Sequence, residues 1–131
     1  MKILIVDDEA LVAMSLEFLL KVDGHVVTGL TANVEGAVSS AELSRPDLAL
    51  IDIQLARGSS GFDAAAALRE RGILCFFLTG NPPAAPRPDL ALGCIQKPYT
   101  DEVIQAALRI AEARLADGES VARVPRDLIL Y

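Results

Sequence analysis

The stretch KILIVDDEA, Lys2 to Ala10, decides how the rest of the chain is read. Four apolar residues, Ile3 to Val6, run without alternation into Asp7, Asp8 and Glu9. An unbroken apolar run of this length is the pattern of a strand covered on both faces, as in a parallel sheet flanked by helices. The acids then fall where that strand ends. There, Asp7 and Asp8 repel each other unless a proton or a cation relieves them.

Outward from this stretch, Val26–Leu30, Leu48–Ile51 and Leu74–Leu78 repeat the apolar run, and Gly93–Ile95 is a shorter fifth candidate. Helical patterns fill the gaps. Leu11, Val12, Leu16, Leu19 and Leu20 recur at helical spacing until Asp23-Gly24 stops them. Asn33 and Glu35 open a second helix carrying Val34, Ala37, Val38, Ala41 and Leu43. Ser59-Ser60-Gly61 precedes a third over Phe62–Arg69. Thr100 suits the cap of the last helix, with Asp101 and Glu102 in the first turn where the dipole favours acids. Ile104, Leu108, Ala111 and Leu115 form its stripe.

Alternating strands and helices predict an α/β fold with a parallel sheet. One unit is poor, because four prolines lie between Pro82 and Pro88. Proline in a helix interior costs about 3 kcal/mol, so the fourth helix is expected to be short, displaced or irregular. After Leu115 the pattern breaks at Asp117-Gly118, and Leu128–Tyr131 is expected to be a short strand or a docking segment. The expected organisation is one domain over 1–116 and a tail over 117–131.

Composition narrows the function. The chain has 131 residues, 52% of them hydrophobic, and a net charge of −6, which disfavours nucleic acid and anionic membranes as partners. Cys75 and Cys94 sit nineteen apart in apolar surroundings, neither a CxxC pair nor a disulfide framework, and read as reduced core residues. No run approaches the roughly 18 apolar residues of a membrane span, and the first is too short for a signal peptide. The expected location is the cytoplasm.

Placed on this map, Asp7 and Asp8 follow the first strand, Asp52 the third, Thr79 the fourth and Lys97 the fifth. All lie at the carboxyl ends of strands, where open α/β sheets bind ligands. Three carboxylates in one pocket cannot all stay ionised unaided. Two unit charges 4 Å apart interact by about 4 kcal/mol at an effective dielectric near 20. A hard divalent cation such as Mg²⁺, which takes carboxylates, water and phosphate oxygens, suits the set. Asp52 is then a candidate nucleophile toward phosphorus, with Lys97 and Thr79 receiving the phosphoryl oxygens.

The elements ILIVDDE, DLALIDIQL, FFLTGN and QKPY together resemble a receiver domain of a two-component response regulator over about residues 1–116. The resemblance implies a doubly wound, five-stranded parallel sheet of order 2-1-3-4-5, an order among the known doubly-wound arrangements. It implies Asp52 as phospho-acceptor, Asp7 and Asp8 as metal-site acids, and the Gln54 backbone carbonyl as a further Mg²⁺ ligand. Thr79 becomes the switch hydroxyl, Lys97 the phosphoryl-contacting cation, and Lys97–Pro98 a cis bond. Cys94 stands where many receivers carry a switch aromatic. Phe77, Thr79 and Gly80 match a Phe-x-Thr-Gly signature of the FAT GUY subgroup, whereas Leu74, Leu78 and Asn81 do not.

The resulting expectation is a stand-alone, phosphorylation-switched receiver rather than an enzyme. A histidine kinase, of the HWE type if the subgroup holds, or a phosphotransfer protein would be the donor. Output would pass to an unknown downstream protein or into a phosphate sink, with a homodimer open. Pro82–Pro88 and the final helix are the candidate contact surface. Against the alternative of an aspartate-nucleophile phosphohydrolase, the chain has no second acid two residues beyond Asp52, where Gln54 stands. A binding module that ignores phosphorylation would leave the five-residue set without a purpose. His25 reads as an ordinary surface residue, and Gly58–Gly61 (GSSG) as a flexible loop.

Overall fold

Each apolar run forms a strand, and each helical pattern except the proline-rich one forms a helix. The computed structural model describes residues 1–55, 58–117 and 124–131. The chain runs β1 (Lys2–Val6), α1 (Ala10–Val22), β2 (Val26–Thr31), α2 (Val34–Ser44), β3 (Leu48–Asp52), α3 (Gly61–Glu70), β4 (Leu74–Thr79), β5 (Gly93–Gln96), α4 (Asp101–Leu115) and β6 (Leu128–Leu130). The sheet order is β2-β1-β3-β4-β5-β6. The first five strands are parallel in the expected order.

The sixth strand amends the five-stranded, all-parallel expectation. β6 pairs antiparallel with β5, in the register Gly93↔Leu130, Cys94↔Ile129 and Ile95↔Leu128. Gly93 makes this possible, since a Cβ there would collide with the Ile129 carbonyl oxygen.

Alternation along the central strands sorts side chains into two layers. Ile3, Ile5, Leu48, Leu50, Phe76, Leu78 and Ile95 face α1 and α4. Leu4, Val6, Ala49, Ile51, Cys75, Phe77 and Cys94 face α2 and α3. The small Ala37, Ala41, Ala64 and Ala65 let α2 and α3 lie close on the second layer. β3 is buried along its whole length, whereas β2, at the sheet edge, is only half-buried. The all-buried reading of Val26–Leu30 therefore fails, because among the described residues no strand lies beyond it.

Local caps follow the sequence. The Asn33 side chain accepts from Gly36 N at 2.7 Å, Ser60 from Phe62 N at 3.1 Å and Thr100 from Val103 N at 3.4 Å. Ser60 and Gly61 are thus the start of α3, not free loop, although Gly58 precedes it in a turn. Gly24, at φ +88°, provides the left-handed turn that ends α1. α4 ends at Leu115 with Ala116 as cap, and Gly118 of the expected Asp117-Gly118 stop lies outside the described residues.

Between β4 and β5 no helix forms, so the fourth helix is absent rather than short. Four prolines remove the amide donors that a helix there would need. Three leucines assigned to core stripes also differ: Leu11 is 80% exposed, Leu43 87% and Leu115 45%. Buried Ala13, Leu16 and Leu20 form the inner face of α1 instead.

Phe76 is fully buried among the helices of the first layer. Phe76→Ala should cost about 3–5 kcal/mol in urea unfolding, with an unchanged denaturant slope.

Candidate functional site

Among the described residues, three polar or charged residues are buried: Asp7 at 4% exposure, Asp52 at 5% and Thr79 at 4%. All sit at the carboxyl ends of adjacent strands, β1, β3 and β4. Burying two carboxylates against an apolar core is costly unless they are paired. The partner is Lys97, directly after β5, whose Nζ lies 3.3 Å from Asp7 Oδ2 and 3.3 Å from Asp52 Oδ2. The Lys97–Pro98 peptide is cis.

Each buried carboxylate divides its two oxygens between tasks. Asp7 Oδ1 accepts from Glu9 N at 2.9 Å, and Asp52 Oδ1 from Gln54 N at 3.1 Å. These bonds fold the loops after β1 and β3, leaving the other oxygens for the ammonium. Thr79 Oγ1 accepts from Asn81 N at 3.1 Å and donates to Asn81 O at 3.3 Å. Its hydroxyl is thus engaged by its own loop. Asp8, Glu9, Asp52, Gln54, Thr79, Asn81 and Lys97 surround one open cleft of about 520 Å³.

The electrostatics follow from burial and from the shared ammonium. Burial raises Asp52 above the usual carboxylate range and Asp7 adds to this, against the Gln54 N–H and Lys97. Burial alone would lower Lys97, but the Asp7 and Asp52 carboxylates outweigh it and leave the ammonium stabilised. Tyr99, two residues on, is raised chiefly by burial.

Asp7, Asp8, Glu9 and Asp52 each offer a carboxylate oxygen, and these atoms lie within 4.8 Å of one another. An all-oxygen set of this span fits Mg²⁺, which prefers a few carboxylates and retains water. Sequence reasoning brought Asp7, Asp8, Asp52, Gln54, Thr79 and Lys97 to one rim, and all six lie there. It gave Glu9 no role, yet Glu9 Oε1 stands 4.0 Å from Lys97 Nζ. The signal was present, since Glu9 is the third member of the acid run. It also missed Gly61, where a Cβ would collide with the Asp52 carbonyl oxygen and lie 2.6 Å from Ile53 Cα. That contact joins distant elements and leaves no mark in the sequence.

A buried aspartate and a lysine at the ends of β3 and β5, beside an acidic pair, are the rim arrangement of a receiver-type α/β domain. The sequence model described as "Response regulator receiver domain" matches residues 3–109, and the chain belongs to that family. Receiver domains take phosphoryl groups from kinases in two-component systems and generally bind Mg²⁺ at such an acidic pocket. The chain is 40% identical over 112 residues to the phyllosphere-induced regulator PhyR of Methylorubrum extorquens, covering 82% of this chain and 42% of PhyR. It is similar to the solution structure of the Erythrobacter litoralis PhyR receiver domain, with TM-score 0.75, 31% identity and coverage of 94% and 95%. It is also similar to the anti-anti-sigma factor PhyR of Bartonella quintana, with TM-score 0.73, 30% identity and coverage of 88% and 48%. The chain therefore spans less than half the length of these two PhyR proteins. Among the described residues, no helix is long and apolar enough to cross a membrane.

A carboxyl raised in the folded state favours folding while protonated, and that contribution is lost as pH rises through its raised value. At pH 7 the ionised Asp52 therefore weighs against folding. Asp52→Asn should raise the metal-free Tm at pH 7. Mg²⁺ should raise the wild-type Tm more than that of the variant, as scanning calorimetry would show.

Proposed function

We propose that this receiver takes a phosphoryl group from a histidine kinase onto Asp52 and relays the change by protein contact, or drains phosphoryl groups from the kinase. The observation that carries this is the buried trio Asp7, Asp52 and Thr79 around the Lys97 ammonium. No packing need explains two carboxylates and a hydroxyl buried at one rim.

In the proposed transfer, an Asp52 carboxylate oxygen forms the new O–P bond as the donor's N–P bond breaks, the electron pair leaving with the imidazole. Asp7, Asp8, Asp52 and the Gln54 carbonyl would hold Mg²⁺, which would supply charge neutralisation to the carboxylates and the phosphoryl oxygens. Lys97 already touches Asp52 and shifts from sharing two carboxylates to contacting the added dianion. Thr79 exchanges its bond with Asn81 O for a phosphoryl oxygen, so the loop after β4 rearranges. Phosphorylation thereby acts as a local charge change biasing a two-state loop. Glu9 joins the set as a competitor for Lys97.

The region 1–116 acts in this reading as the receiver and 117–131 as its tail, in the cytoplasm. The Phe77-x-Thr79-Gly80 signature and the similarity to PhyR support a donor of the HWE type and an output through a regulatory protein rather than nucleic acid. Pro82–Pro88 and α4 remain the proposed output surface. For the donor, α1 offers a better one: Leu11, Met14, Phe18 and Val22 are each more than half exposed at helical spacing. The stripe begins two residues beyond Glu9, and its groove reaches Tyr99. A helix bearing phosphohistidine, laid on it, would bring its imidazole to the rim.

With acetyl phosphate and Mg²⁺, intact mass should increase by one phosphoryl group, and Asp52→Asn should lose the increase. An unchanged wild-type mass would refute the assignment. Phe18→Glu should slow transfer from a phosphorylated kinase at least tenfold, about 1.4 kcal/mol, while leaving labelling by acetyl phosphate unchanged.

A further inference from the structure

Tyr131 has no part in the site described above. Among the described residues, its hydroxyl is the one buried side-chain polar atom without a well-formed hydrogen bond, with only the Cys94 thiol beside it. The ring packs on the cluster that contains Phe77, Leu90, Ala91 and Cys94. Burial, with the neighbouring Cys94 thiol, pushes the phenol up to about 12, and burial pushes that thiol up to about 11. This part of the sheet has no helix over it, because the proline-rich segment forms none. Tyr131 takes up part of the space such a helix would fill.

The ring is held there by little. β6 has three residues, flanked by two further bonds: Tyr131 N donates to Leu92 O at 3.0 Å and Gln96 N to Asp127 O at 3.0 Å. The second bond lies one residue from Lys97, whose own amide donates to Thr79 O at 2.8 Å. β5 is therefore shared between the acceptor rim on one side and β6 on the other.

We propose that β6 and Tyr131 form a strap over the β4–β5 face whose release is coupled to the phosphoryl state of Asp52. This rests on Asp52 being the acceptor. Thr79 and Phe77 share a face of β4 by alternation, and Phe77 is the register partner of Cys94. Drawing Thr79 toward Asp52 on β3 moves that face away from the β5–β6 side, where the tyrosine ring rests. Once the ring leaves, its hydroxyl meets water and gains the hydrogen bonds it lacks when docked. A short strand with an unsatisfied anchor is poised to open. Coupling of this kind is reciprocal, so a firmer strap disfavours the phosphorylated form.

The full chain is treated with acetyl phosphate and Mg²⁺, and iodoacetamide labelling of Cys94 is read alongside intact mass. Cys75, buried in the same layer, reports global opening. Cys94 labelling should rise about tenfold on phosphorylation, with Cys75 unchanged. Tyr131→Phe, which removes the unsatisfied hydroxyl, should slow Cys94 labelling in both states. Tyr131→Ala should speed it without phosphodonor. A phosphoryl group added with Cys94 labelling unchanged would overturn the strap and leave the acceptor reading intact. Absence of the phosphoryl group would overturn both.

Discussion

The structure turns on one ammonium group shared by two buried carboxylates. Without Lys97, Asp7 and Asp52 would be like charges at the edge of an apolar core, each with one oxygen already committed to a loop amide. Parallel strand order makes the sharing possible, because it places the ends of β1, β3, β4 and β5 along one rim. The helices cover most of both faces, and the buried charge gathers at the rim. Fold and site are in this sense one arrangement: a dry sheet beneath the rim strengthens the attraction between the lysine and the carboxylates it holds together.

The same arrangement explains why so much was legible in nine residues. Ile3 to Val6 had to be a two-sided strand, and the acids had to be at its carboxyl end. Repeating that inference at Ile51-Asp52, Leu78-Thr79 and Ile95–Lys97 placed Asp52, Thr79 and Lys97 on the rim with Asp7 and Asp8. Helix starts were partly readable, since Asn33 and Thr100 make the expected caps, whereas Ser60 caps α3 from a stretch read as loop.

What was not legible depended on contacts between distant segments. Leu11 and Leu43 carry helical spacing, but spacing does not say which side of a helix meets the sheet. Gly61 looks like loop glycine until α3 is seen against the Asp52 carbonyl. The proline-rich segment announced that a helix would be weak, and the place of Tyr131 and Leu90 in the vacated space follows from long-range packing. Arg87, from that segment, rests 5.6 Å above the Phe62 ring, which itself meets Phe77 edge-on at 5.2 Å. Side chains from three elements thus replace one helix's coverage.

The close approach at Gly61 has a mechanical consequence. No slack separates the Asp52 carbonyl from the first turn of α3, and Gly61 N also donates to Ile53 O at 2.8 Å. A backbone shift at Asp52 is therefore not absorbed in a compliant hinge but levered into α3 as a tilt of the whole cylinder. The outer side of α3, with Asp63, Arg69 and Arg71 along or just beyond it, inherits the motion.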